Sequence, residues 1–530
     1  MRSKRTTILN LLDLLLVALA SWYVIPPALL DRIIYLPLPF DNHIASSPTL
    51  SNLLGFLVLL TIRFSLGRKE ARKTYLTRTI SHLPAAWHPA VAGLVSLLVF
   101  LGVSQRGMWP TGDTLPAKLV PISILEEGNL DLNEFLPGIP HELAYGIHIL
   151  NGQALSGQAL SGQALAGRAL AGQAHSAYPL GTSFSVLPVY AAYRWLFPDR
   201  FSQWREAYRQ PGGDQSPRNI ANRLERISAA MIAALCVVLF WLLAERETTQ
   251  QKSLVWFSIA FALGTSLSST AVTGLWQHGP GCLFILLTLW MLGKAESGLS
   301  RWLIGAGLSA AWAYWCRPTT LFITATFAVY VLITHRARAL YFLVPCAMGG
   351  CGAIVFNHWM FGNLTGGYAG NMSLFVPFDP AVALAHLASP SRGLFLFSPF
   401  LVFAVIAGMR RLRKFPLDMS SFCLYAAMVQ LILFSCWRTW TAGSAFGPRY
   451  LCEAAMLLCV AMTTSLADMN WTTWKGRVFA ALVLFACILH LTGGSQGDRG
   501  WTANAYVQDS LGNAWNLPNS QIAWTFGFNP

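Results

Sequence analysis

The chain has 530 residues, of which 54% are hydrophobic and 11% charged. Soluble domains carry roughly 25% charged residues, so this chain has too little charge to cover a soluble surface of its size. That excludes a soluble globular enzyme and a disordered chain, and predicts an all-α polytopic membrane protein. Lys and Arg number 37 against 23 Asp and Glu, a net charge of +14. The basic residues sit in short loops between apolar runs, where they read as topology signals and not as a nucleic-acid surface. The 10 Cys fall in or beside apolar segments with no CxxC pair, so packing is expected, with neither a disulfide framework nor a zinc site.

Met1–Arg5 is basic and an apolar run begins near Ile8. It passes Trp22 without a small-residue cleavage site, which predicts an uncleaved first helix. Asp13 lies one turn into that run. An acid inside a membrane helix is a functional candidate, and an interfacial position is the alternative. Further apolar runs cover 51–66, 89–104, 179–197, 228–244, 254–271, 279–294, 301–316, 318–334, 339–361, 393–409, 418–436, 450–467 and 476–493. Several are short for a hydrocarbon core of about 30 Å, so roughly 11–14 transmembrane helices are expected. The organisation is N-terminal transmembrane helices over 1–104, a long outer loop over 105–178, a transmembrane core over 179–493 and a polar outer-face tail over 494–530.

Orientation follows from the basic loops. Arg68, Lys69, Arg72, Lys73 and Arg78, then His335, Arg336 and Arg338, then Arg410, Arg411, Arg413 and Lys414 predict cytoplasmic ends. Segment 105–178, loops 362–392 and 437–449 and the tail then face outward. The count does not close. Forward from 105–178 the loop around His278 falls inside, and backward from 410–414 it falls outside. One segment between 179 and 294 must therefore be re-entrant, interfacial or non-spanning.

Residues 152–176 form five tandem pentamers, GQALS, GQALS, GQALA, GRALA and GQAHS. The period is too short for the usual solenoid units. On a helix, the fourth positions would rotate by about 140° per step and form no single stripe. A slippage expansion in a tolerant loop is expected, with an adapted binding surface as the alternative.

Candidate chemistry gathers at the ends of apolar runs. Asp113 follows a helix exit in Met108-Trp-Pro-Thr-Gly-Asp-Thr-Leu-Pro. It could cap the next helix, whose first turn suits Pro116, or take a proton from an acceptor hydroxyl. Tyr178 sits in Ala-Tyr-Pro-Leu-Gly, a helix start that suits a polar cavity. Trp276 and His278 stand in Leu-Trp-Gln-His-Gly-Pro, a pairing that suits sugar or phosphate. Arg317 could clamp a phosphate or snorkel to the interface. Arg392, Arg438 and Arg449 lie in outer loops and could hold a lipid-linked phosphate. Arg449 and Glu453 are four apart, so an ordinary helical ion pair competes with that role.

The ordered series GDTLPAKLVPISILEEGNLDL, SAYPLGTSFSVLPVY, GLWQHGPG, CRPT, FNHWMFGNLTGGY, SPSRGLFLFSP and WTAGSAFGPRYL resembles the GT-C superfamily of integral-membrane glycosyltransferases. It is most similar to the bacterial branch related to protein O-mannosyltransferases and lipopolysaccharide glycosyltransferases. The resemblance implies a multi-helix core with catalytic residues in outer loops. It implies transfer of a sugar from a polyprenyl-phosphate donor to a glycan, lipid or protein acceptor on the outer face of a bacterial plasma membrane. Asp113 matches the acidic position of the first large outer loop. The next residue is Thr114 where such enzymes often keep a second acid, and a divalent cation is compatible with the class but not supported by this sequence. No other cofactor is named. The rival classes are a transporter or flippase, which would place ionisable residues near the membrane midplane, and a non-catalytic polyprenyl-lipid-binding protein.

Overall fold

The computed structural model describes residues 87–104, 111–139, 141–151, 172–209, 216–296, 298–367, 375–443, 445–496, 501 and 511–526. The expected first helix with Asp13, the run at 51–66, the basic loop from Arg68 to Arg78 and pentamers one to four lie outside them. Among the described residues the chain is almost all helical, with one two-stranded sheet.

Every apolar run from 89 onward becomes helix. The long helices are α1 His88–Ser104, α2 Leu115–Glu126, α3 Gly181–Leu196, α4 Pro198–Arg209, α5 Ser216–Glu247 and α6 Gln251–Leu263. Then come α7 His278–Ala295, α8 Ser300–Cys316, α9 Thr320–Thr334, α10 Leu340–Phe361 and α11 Pro380–Ala388. The chain continues as α12 Leu401–Leu412, α13 Met419–Ser435, α14 Cys452–Ser465, α15 Trp474–Gln496 and the short α16 Gln521–Thr525. Local chemistry sets several ends. The Asp418 carboxylate accepts from Ser421 N at 2.8 Å and starts α13, while Gly362, at φ +67°, closes α10 in the left-handed region. All ten Cys are free, and seven are buried in the packing.

Two large apolar cores result, beside two small clusters. The larger joins α1, α5–α10 and α12–α15. The smaller joins α2, α3, Phe201 of α4, the first turns of α5 and the hairpin of β1 Ile147–Asn151 with β2 Gly172–Ser176. Helix α5 serves both. At 32 residues it is about 48 Å long, and it carries Ala221 and Leu224 in the smaller core and Phe240 and Ala244 in the larger.

The bundle has two poles. At one, Arg246 of α5 pairs with Glu296 after α7 at 2.8 Å, Thr248 donates to Ala467 O, and Arg411 pairs with Asp418. At the other lie the start of α7, the end of α8 and the start of α14, tied by His278, Arg317 and Glu453. Helix α3 begins at this second pole, where Gly181 lies so close to the Trp315 carbonyl that no Cβ would fit. It ends with Arg194 paired to Glu126 of α2 at 2.9 Å. Helix α4 packs on the turn Asn133–Gly138, and α5 starts again at the second pole, where Asn222 accepts from Lys118 Nζ at 2.6 Å. The run at 179–197 therefore does not pass from pole to pole. His278 shares its pole with Asp113.

The fifth pentamer is not a tolerant loop. Gly172–Ser176 is the strand β2, paired antiparallel with β1 in the register Ile147↔Ser176. Ala174 donates to Asn133 Oδ1 and its carbonyl accepts from Leu132 N at 2.7 Å. Deleting Gly157–Ala171 removes three units without touching this strand, so the protein should keep its unfolding temperature in detergent. Extending the deletion through Ser176 should abolish the folded, monodisperse species on size-exclusion chromatography.

Candidate functional site

A cavity of about 330 Å³ lies at the pole where the two cores meet. Six of the eight predicted residues line it: Asp113, Tyr178, Trp276, His278, Arg317 and Arg449. The rest of its wall is largely aromatic and apolar, with Trp315, Phe322, Phe356, Met360 and Trp437.

Asp113 is held by its surroundings from both ends. Its N–H donates to Thr111 Oγ1 at 3.2 Å; a Cβ on Gly112 would strike the Tyr145 ring and the Leu143 carbonyl, and one on Gly146 would strike the Gly112 carbonyl. Helix α2 starts two residues on with Pro116 in its first turn, as the sequence predicts. The capping role fails, however. Thr114 takes the N-cap position with no side-chain bond, and the Asp113 carboxylate turns toward the cavity. Its Oδ1 accepts from Tyr178 Oη at 2.6 Å, and its Oδ2 accepts from Arg449 at 2.8 Å. Tyr178 is placed by Ser176, whose hydroxyl donates to Tyr178 O and accepts from Tyr178 N. The Arg449 guanidinium lies over the Trp276 ring, 4.5 Å from its centroid.

A second set lies beside it. Glu453 has no exposed surface, and its Oε1 is 3.4 Å from Arg317 Nε and 3.2 Å from His278 Nδ1. A proton on Nδ1 donates to this carboxylate and leaves Nε2 to accept from the Arg317 guanidinium. Arg317 also donates from Nε to Thr319 Oγ1 at 2.8 Å and lies over Phe434. The Arg449–Glu453 helical pair that competed with phosphate binding does not form. Each residue turns to a partner from a distant part of the chain.

The loop carrying Trp276 and His278 is anchored from below. Leu275 N donates to Glu225 Oε1 at 3.1 Å, and Glu225, fully buried, pairs with Lys118 at 3.1 Å. The sequence reading passed over Glu225 and Lys118, and gave Glu453 a role only as a helical partner of Arg449. The available signal was a charge surviving inside an apolar helical stripe, which needs a partner.

Two predicted phosphate ligands lie elsewhere. Arg392 is 1% exposed and does not line the cavity. Its guanidinium donates to the carbonyls of Ala445, Gly447 and Gly443 and to Gln521 Oε1, under the Trp501 ring. It is a lock between a loop and the tail. Arg438 is exposed and also outside the lining. Among the described residues no three His, Cys, Asp or Glu side chains gather as a metal-ligand set. Asp113 and Glu453 each already face a guanidinium, which does not suit a divalent ion. The chain gives no match to protein-family models and none to curated proteins.

Two variants separate these roles. Glu453→Gln leaves Arg317 buried without its counter-charge and should cost about 3–5 kcal/mol, read as a lowered unfolding temperature. Arg392→Lys loses the fork that spans three carbonyls and should destabilise by roughly 1–3 kcal/mol. Ligand binding in the cavity of the folded Arg392→Lys protein should be unchanged by calorimetry.

Proposed function

We propose that the chain is an integral-membrane glycosyltransferase that moves a sugar from a polyprenyl-phosphate donor to a hydroxyl of a glycan, lipid or protein acceptor outside the membrane. The observation that carries this reading is the convergence of Asp113, His278, Arg317 and Arg449 on one cavity with an apolar aromatic wall.

The membrane setting rests on three helical spans, Ala221–Glu247, Arg336–Phe361 and Trp474–Gln496, that are long and apolar enough to cross. Only 17% of the apolar window in Arg336–Phe361 is buried, and Met348, Val355 and Trp359 point away from the protein. Such a surface suits lipid and not water. The pole away from the cavity carries cations against aromatic rings: Lys252 on Trp471, Lys294 on Trp290, Arg301 on Trp302 and Arg411 on Phe415. Aromatic rings mark an interface on either side and the basic residues favour the cytoplasmic one, so in this reading the cavity faces outward. A bacterial plasma membrane is the location that the GT-C resemblance implies.

The chemistry needs a base, cations and exclusion of water. Asp113 takes the acceptor's hydroxyl proton. The acceptor oxygen bonds to the anomeric carbon as that carbon's bond to the phosphate oxygen breaks. The electron pair leaves on polyprenyl phosphate, whose charge Arg317 and Arg449 offset. The aromatic wall takes the first isoprene units and keeps the site dry.

The engagement of both Asp113 oxygens favours a second reading, a non-catalytic lipid-binding protein in which Asp113 only tethers Arg449. Asp113→Asn separates the two. It keeps an acceptor for Tyr178 but cannot take a proton. As a base, its loss should lower transfer from radiolabelled polyprenyl-phosphate sugars roughly 10²–10⁴-fold with donor binding retained. Wild-type turnover in the variant would remove Asp113 from the mechanism.

A further inference from the structure

The five pentamers differ at their fourth position. Four carry leucine, at 155, 160, 165 and 170, and the fifth carries His175. The fifth is also the unit that folds into β2 and borders the cavity. A leucine there would fit a buried strand as well as its neighbours do, so strand packing alone does not call for an imidazole. His175 is 6% exposed and lines the cavity, and among the described residues its Nδ1 has no hydrogen-bond partner. Its Nε2 reaches Gln173 Oε1 at 3.4 Å, a long and weak contact.

Burial is the largest influence on the ring and holds its pKa below the usual value, against weaker pulls from the Leu130 backbone and Asp131. A neutral imidazole offers one N–H donor and one acceptor nitrogen. With Nε2 on Gln173, Nδ1 is the nitrogen left for a ligand, and a hydroxyl suits it in either tautomer because it can give or take the one hydrogen bond. A phosphate would call for a cation, and the cavity already supplies Arg317 and Arg449 for it.

We propose that His175 is a specificity-determining residue of the cavity that hydrogen-bonds a hydroxyl of the donor's sugar. The inference rests on the glycosyltransferase reading and assigns a sugar subsite to the β2 edge, one residue before the Ser176 that fixes Tyr178. The repeat thus supplies a substrate contact through the one unit that departs from leucine at the fourth position.

The test compares binding of two probes to the purified full-length protein in detergent: a short-chain polyprenyl phosphate, and the same lipid phosphate bearing a hexose. The wild type should prefer the hexose-bearing probe. His175→Leu, which restores the repeat's own residue, should lower affinity for that probe about five- to tenfold, as expected for one hydrogen bond lost in a buried site. It should leave affinity for the bare lipid phosphate unchanged. His175→Gln, which keeps a donor and an acceptor, should retain most of the preference. His175→Ala gives the same comparison should the leucine variant not fold. An unchanged preference in the leucine or alanine variant overturns the inference, as does a wild type that binds both probes equally. A wild type that binds neither overturns the glycosyltransferase reading itself, and this inference with it.

Discussion

Glu453 is a carboxylate with no exposed surface, set in an otherwise apolar helix. Such a charge costs several kcal/mol unless cations meet it. That requirement brings the end of α8, through Arg317, and the start of α7, through His278, to the start of α14. It frees Arg449, one turn earlier, to reach across to Asp113 at 2.8 Å. The second pair ties the smaller core to the larger. The two acids and two guanidiniums balance one another, so the pole is polar yet nearly neutral, and the cavity forms in the gap.

Support from behind is of the same kind. Lys118 and Glu225 form a buried pair whose second task is to accept the Leu275 N–H. A loop that carries Trp276 and His278 is thereby fixed without a helix of its own. On the other flank, His490 bridges Ser269, 2.7 Å from its Nδ1, and Ser398, 3.1 Å from its Nε2. These described stretches at the pole are held by side chains from distant segments, which is what backbone inside an apolar setting demands.

Much of this was readable in the sequence. The apolar runs gave the helices, because in a chain this poor in charge little else can form them. The candidate residues at run ends gave six of the cavity's polar lining, since polar groups collect where helices stop. Partners were not readable. Arg449 and Asp113 are 336 residues apart, and nothing local distinguishes Arg449, which turns to Asp113, from Arg392, which turns to backbone carbonyls. Both stand in Gly- and Pro-containing loops. The i, i+4 spacing of Arg449 and Glu453 offered a pair that does not form, because each meets a closer partner from a distant segment, Asp113 for Arg449 and Arg317 with His278 for Glu453. The run at 179–197 had the composition of a crossing helix, and only its contacts with α2 and α8 reveal that it stays at one pole.

The Arg392 lock has a consequence for assembly. Gly447 N donates to Gln521 Oε1, a residue 74 positions later, and the same oxygen accepts from Arg392. During synthesis the loop at 443–447 emerges well before the glutamine that completes its hydrogen bonding. Until then Arg392 can gather the loop carbonyls but the Gly447 amide stays unmet. The loop leading to Arg449 therefore reaches its final shape only when the segment carrying Gln521 docks, so the pole that holds the cavity matures late in synthesis.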